Sequence, residues 1–271
     1  MGSETSPLLG HYATGYEAER LSKGTGLLEF SRTQEILARC LPPPPGRVVD
    51  IGGGPGQYSS WLAARAYDIS LLDIVPLHVE QARARFRQYG ATTATAGVGD
   101  ARALPYEDAS HSVALLMGPL YHLQERMDRI KAAREAWRVL TSGGTMIVTA
   151  ISRFASLIDG YVNGYISDPA FVSVVDQDLA TGRHRNSTAE PAYFTDAYFH
   201  HPDELTAELR EAGFTVGPLI AVEGPFWMLQ NFNEHWSEET GRQRLLSYLR
   251  MIESDATMIG ASAHIVAVCR K

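Results

Sequence analysis

The chain has 271 residues, 45% of them hydrophobic and 9% aromatic, enough to build a full core in one large or two small domains. Its net charge of −7 opposes long-range attraction to phosphate backbones, so no nucleic-acid partner is expected. No run approaches the ~20 apolar residues of a membrane span, Met1–Pro7 lack the regions of an export signal, and the two cysteines, Cys40 and Cys269, are too few for a metal site of their own. A soluble protein of the reducing cytoplasm, with no membrane partner, is the expectation.

Residues 11–41 carry two helical patterns split by Lys23-Gly24-Thr25-Gly26, and Pro42 to Pro45 stop the second. Residues 1–41 therefore read as an N-terminal helical cap rather than a domain. Val48-Val49-Asp50-Ile51 is a strand that runs into Gly52-Gly53-Gly54-Pro55-Gly56, four glycines within five positions, before a helix from Gln57 to Ala66. Such a turn lets backbone approach a ligand where a Cβ would stand in the way. It is not the dinucleotide fingerprint, whose Gly-x-Gly-x-x-Gly register is missing, nor a phosphate loop, because Gly56 is followed by Gln57.

The spacing Asp50-x-Gly52-x-Gly54-x-Gly56 resembles the first motif of the class I S-adenosylmethionine-dependent methyltransferases, whose cofactor has no phosphate. A second mark, Arg138-Val139-Leu140-Thr141-Ser142-Gly143-Gly144, is similar to the turn of the ubiquinone/menaquinone-biosynthesis-type members. The resemblance implies a Rossmann-like α/β fold with seven strands, mostly parallel with strand seven antiparallel, and helices on both faces. It covers residues 46–150 and, more weakly, 200–271. It implies S-adenosylmethionine as cofactor, S-adenosylhomocysteine as product, and Asp50, Gly52, Gly53, Gly54 and Gly56 beside the cofactor. The cap of such enzymes folds across the methionine part, which makes Tyr12, Tyr16 and Arg32 candidates.

Asp68 to Ile74 is the second strand, and Asp73 lies about the ~20 residues past the first strand's acid at which a βαβ unit delivers a carboxylate to ribose hydroxyls. Ile74 is then placed against an adenine face. A helix from Pro76 closes at Gly90, and Thr92 to Val98 forms a third strand. After it, the resemblance gives Asp100 the adenine amino group and the Ala101 amide a ring nitrogen. Ser112 to Met117 reads as a central parallel strand, ending in Gly118-Pro119-Leu120-Tyr121-His122. Met117 and Gly118 are expected at the methionine moiety, with Tyr121 and His122 toward the acceptor. DNA-amino methyltransferases carry Asn/Asp-Pro-Pro-Tyr at this place, and the chain departs from that pattern. Arg126 to Leu140 is an amphipathic helix, with Ile130, Ala133, Trp137 and Leu140 on one side, and Thr145 to Ile151 is strand five.

Residues 152–200 break the alternation with two helical patterns, Phe154 to Ile166 and Pro169 to Ala180, then a loop over Thr181 to Thr188. Too long for a structureless connection and rich in tyrosine and phenylalanine, the segment is expected to form a helical lid over an apolar pocket. The core, 42–151 and 201–271, resumes with a helix over 202–212, strand six over 214–222 and strand seven over 262–268. The expected activity is methyl transfer to a small-molecule acceptor at oxygen, nitrogen or carbon, with His122 as general base where the acceptor must lose a proton. No metal is expected, because Met117 to Leu123 lacks carboxylates. A non-methylating or regulatory use of the same pocket, and a macromolecular acceptor, stay open as alternatives, and nothing in the sequence speaks to the oligomeric state.

Overall fold

The computed structural model describes residues 20–188 and 190–271. Tyr12 and Tyr16 lie outside the described residues. Helix α1 (Gly26–Cys40) leads through the prolines into β1 (Arg47–Ile51), and α2 (Gln57–Ala63), β2 (Asp68–Asp73), α3 (Pro76–Gln88) and β3 (Thr95–Val98) follow. Then come β4 (His111–Leu116), the single turn α4 (Pro119–His122), α5 (Arg126–Val139) and β5 (Leu140–Ile151). The strands pair in the order β3-β2-β1-β4-β5, all parallel. The residues of β1, β2, β4 and β5 are mostly buried on both faces, as strands covered by helices on two sides must be, whereas the edge strand β3 is part exposed.

The period of two is visible in the core. Val49, Ile51, Ala114, Leu116, Met146 and Val148 pack toward α5, whereas Val48, Val113, Leu115 and Ile147 pack toward α1, α2 and α3. Trp137 departs from the expected apolar side of α5: it is 38% exposed, with the Lys271 ammonium over its ring.

Residues 152–201 hold α6 (Ala155–Val162), α7 (Pro169–Thr181) and a small antiparallel pair, β6 (Arg183–His184) with β7 (Ala197–Tyr198). The pair takes Arg183 and His184 out of the expected loop, whose residues 185–188 remain irregular, and it does so for a local reason. His184 is buried, with Nδ1 2.7 Å from the Asp178 carboxylate, Nε2 2.7 Å from the Tyr193 carbonyl, and Phe199 stacked on its ring. Helix α8 (Pro202–Glu211), capped by the His201 side chain, then returns to the sheet.

The expected sixth strand is two pieces, β8 (Thr215–Val216) and β9 (Ile220–Ala221), because Pro218 between them has no N–H to give to a ladder. Helices α9 (Phe232–Ser237) and α10 (Glu239–Ile252) pack on Leu28 of α1 through Phe232, Leu246 and Leu249. The last strand, β10 (His264–Arg270), inserts antiparallel between β5 on one side and β8 and β9 on the other. Counting β8 and β9 as halves of one edge strand, this is a seven-position Rossmann-like sheet. Strand order reverses between β1 and β4, so the carboxyl ends of β1, β2 and β4 face one crevice.

Candidate active site

The glycine loop leaves β1 into that crevice. Gly52 has φ +71°, and a Cβ there would lie 2.6 Å from the Pro119 ring at the end of β4, so glycine lets the two strand ends close on each other. Gly54 has φ +54° and faces open space, and its N–H donates to Asp73 Oδ2 at 2.8 Å. The first and second strand ends are thereby tied. Gly53 approaches the Asp50 carboxylate too closely for any side chain. Gly56, expected beside the cofactor, serves another purpose. It stands at the start of α2 against Ala82 and Phe86 of α3, where its missing Cβ permits helix packing, and it lines none of the cavities described below.

A cavity of about 400 Å³ opens beyond these strand ends, lined by Gly52, Gly54, Asp73, Ile74 and Ala101, with Gly118 and α4 opposite. Ile74 is 46% exposed, an apolar side chain presented to the cavity instead of the core. Asp73 is buried, and three contacts engage it: Val75 N–H donates to Oδ1 at 2.8 Å, His78 Nδ1 lies 3.3 Å from the same oxygen, and Gly54 N–H holds Oδ2. A carboxylate has about four acceptor sites, so room for a further donor remains. Asp100 also lines the cavity, but Arg102 holds both of its oxygens, and this hydrogen bonding lowers the Asp100 pKa.

A second cavity of about 260 Å³ lies under α6, α7 and the β6–β7 pair, walled by Phe171, Tyr193, Phe194, Phe199 and Trp227. A third, of about 70 Å³, sits beneath the glycine loop and includes Asp50, Gly53, Tyr58, Met117 and Thr149. Tyr121 lines all three, and its hydroxyl donates to the Met117 carbonyl at 3.3 Å. His122 lines the large cavity alone, edge-on to the Tyr121 ring at 4.7 Å between centroids. The general base expected there does not line the aromatic cavity: both residues of the single turn α4 face the large cavity, and only Tyr121 also reaches the aromatic one.

Arg32 is also placed elsewhere than expected. Its fully buried guanidinium binds Glu253 and the Val222 carbonyl, joining α1 to the end of α10, and lines none of the three cavities. Arg20 does line the two smaller cavities, and it is paired with Glu29 at 2.9 Å. Beside it is His264, at the start of β10, with Nδ1 2.6 Å from Glu223 Oε1 and 3.9 Å from Glu29 Oε2. Burial opposes the charged ring, but the two carboxylates outweigh it and push the His264 pKa up to about 9. Glu29, Glu223 and His264 bring ligating atoms within 4.8 Å of one another, yet Arg20 and the imidazolium match the two acids, so the group is an ion-pair cluster. Sequence reasoning missed these residues. The one signal was Glu223, an acid directly after the apolar run Leu219-Ile220-Ala221-Val222. Asp50, 2% exposed and accepting from Ser59 Oγ at 2.6 Å, has its carboxyl pushed up to about 6 by burial, with the charge of Asp73 adding to it.

Residues 48–144 match the model of a methyltransferase domain family. A demethylmenaquinone methyltransferase from Roseiflexus castenholzii is 29% identical over 208 residues, covering 75% of this chain and 82% of that one. A malonyl-[acyl-carrier protein] O-methyltransferase from Methylococcus capsulatus is 32% identical, covering 63% of this chain and 62% of its own. Among solved structures, an S-adenosylmethionine-dependent methyltransferase from Methanosarcina mazei superposes with a TM-score of 0.61 at 18% identity, over 87% of this chain and 96% of that one, a likeness of fold alone. Among the described residues no helix is long and apolar enough to cross a membrane. With the strand order, the glycine loop and these relatives together, residues 48–144 form a methyltransferase domain of the class I S-adenosylmethionine-dependent type.

Proposed function

We propose that the chain transfers a methyl group from S-adenosylmethionine to a small organic acceptor held in the aromatic cavity, with residues 152–200 as its lid. The observation that carries this is the meeting of the cavities at Tyr121: a large one at the switch point and a smaller, aromatic one that shares its wall. The residues present fit the cofactor. Gly54 leaves open space where a side chain would intrude, Ile74 offers an exposed apolar face, and Asp73 keeps acceptor capacity. In this reading Asp73 holds the ribose and Ile74, Asp100 and Ala101 flank the adenine. Gly52 and Gly118 allow close approach, and Asp50, Gly53 and Met117 surround the methionine end.

When bound, S-adenosylmethionine supplies an electrophilic methyl group on a sulfonium. The protein's part is alignment and exclusion of water. Tyr121, fixed through its hydroxyl to the Met117 carbonyl, forms the wall against which both ligands are set. A cavity of about 260 Å³ suits a compact acceptor better than a protein or nucleic-acid strand.

The test is incubation with methyl-labelled cofactor and a panel of aromatic and polyketide-like acceptors, with extraction of labelled product. Label in at least one acceptor is expected. Binding of S-adenosylhomocysteine without label in any acceptor would refute methyl transfer to this class and favour a non-methylating use of the pocket.

A further inference from the structure

We propose that His264 is the anion anchor of the aromatic cavity, and that the acceptor is a hydroxylated aromatic or enolic compound bound there as its oxyanion. This rests on the reading of that cavity as the acceptor site.

His264 lines both the aromatic cavity and the small cavity under the glycine loop, as Arg20 and Tyr121 also do. It therefore stands on the seam between the acceptor space and the methionine end, where a reacting oxygen has to lie. Its ring is fixed. Nδ1 faces Glu223 Oε1 at 2.6 Å, and Glu223 is itself held by the Ser262 hydroxyl at 2.9 Å and by the His264 backbone N–H at 3.0 Å. With Nδ1–H committed to Glu223, the remaining polar position is Nε2, for which no hydrogen bond to a described residue exists, while the side chain keeps 18% exposure. Glu29 approaches the same ring from α1 and Arg20 pairs with Glu29. Asp159 is the carboxylate facing from the lid side of the cavity.

A ring flanked by two carboxylates stays an imidazolium through the neutral range, which the upward shift to about 9 supports. In that state it is not a base: it donates from Nε2. A donor of this kind stabilises an oxyanion, so a weakly acidic hydroxyl loses its proton to solvent on binding, without a proton-accepting side chain. The walls agree with the ligand class. Phe171, Tyr193, Phe194, Phe199 and Trp227 offer ring faces and edges to a planar molecule with one polar end.

The experiment uses 4-nitrophenol as probe, because its phenolate absorbs in the visible, with the full chain saturated with S-adenosylhomocysteine at a pH below the probe's own ionisation. The parent is expected to bind the probe as phenolate, releasing about one proton to the buffer for each probe bound, and to bind 4-nitroanisole at least ~10-fold more weakly. His264→Gln is expected to abolish the phenolate signal and lose ~10-fold or more in probe affinity, with S-adenosylhomocysteine affinity within ~3-fold of the parent. A phenolate signal unchanged in His264→Gln overturns the proposal. So does a ~10-fold loss of S-adenosylhomocysteine affinity with the probe unaffected, which would put the cofactor's own carboxylate at Nε2. If the variant does not fold, the parent decides: equal affinity for nitrophenol and nitroanisole overturns the assignment. Failure of S-adenosylhomocysteine to bind the parent at all is a different result, and it would bring down the cofactor reading first.

Discussion

Replacing Asp73 separates two jobs that its carboxylate performs at once. Within the protein it accepts from Val75 N–H and Gly54 N–H, each at 2.8 Å, and thereby sets the glycine loop against the end of β2. Toward the ligand, its remaining capacity is assigned to the ribose hydroxyls, each bond to a charged acceptor contributing about 1.5–3 kcal/mol. In Asp73→Ala both backbone donors lose their partner. Because the cavity is open, water replaces part of the loss, and about 1–3 kcal/mol of stability should disappear without ligand. The affinity for S-adenosylhomocysteine should fall by a further ~10-fold or more. Asp73→Asn keeps one acceptor oxygen and is expected to lose less in both respects. Urea unfolding without ligand reads the first quantity and calorimetry the second. If Asp73→Ala unfolds more easily yet binds S-adenosylhomocysteine like the parent, the side chain is only a loop tie and the ribose assignment is wrong.

Gly52→Ala places a Cβ against the Pro119 ring at a left-handed φ, so about 1–3 kcal/mol of stability and much of the cofactor affinity should be lost; an unchanged Tm would refute the close approach of the β1 and β4 ends. Asp50 has its folded pKa raised from 3.8 to about 6, so its contribution to stability is fully present below 3.8 and lost as pH rises through 6. Asp50→Asn is therefore expected to be more stable than the parent by about 1–3 kcal/mol at neutral pH but not near pH 4, as urea unfolding at the two values would show. The raised pKa of His264 acts with the same sign in a higher window: its contribution is present below 6.5 and lost as pH rises through 9, and His264→Gln should flatten that fall. His122→Ala, on the large cavity only, should cost ~10-fold or less in turnover with an unchanged pH profile; a loss of ~10²–10⁴ with the rising limb gone would restore it as the base.

The glycine loop, Asp73 and the end of β4 were legible in the sequence because each is a local pattern: a strand, then residues whose backbone or charge the turn itself requires. Gly56 shows the limit of that logic, since a glycine bare for helix packing and one bare for a ligand look alike in a motif. Arg32 and Arg20 are both basic residues of the N-terminal cap, twelve positions apart, and only the path of α1 past Glu253 decides which of them faces the site. The split of the sixth strand was written in Pro218, a local signal that the apolar run around it obscured. The cluster of Glu29, Glu223 and His264 had no local pattern, because its members come from α1, the end of β9 and the start of β10, which only the folded sheet brings together. That Tyr121 reaches the aromatic cavity while its neighbour His122 lines only the large one has no mark in the sequence, because both stand on the one turn of α4.

The central claim is that cofactor and acceptor occupy two cavities joined at Tyr121, and transfer of labelled methyl in a cavity-filling variant tests it most directly. Ala263, half-buried, lines the aromatic cavity and not the large one, so Ala263→Phe fills the acceptor space while leaving the cofactor space intact. The account predicts that the parent labels an acceptor of the panel, and that Ala263→Phe loses this transfer while binding S-adenosylhomocysteine as the parent does. Undiminished transfer by a folded Ala263→Phe would contradict it, because the acceptor would then be bound somewhere other than beneath residues 152–200.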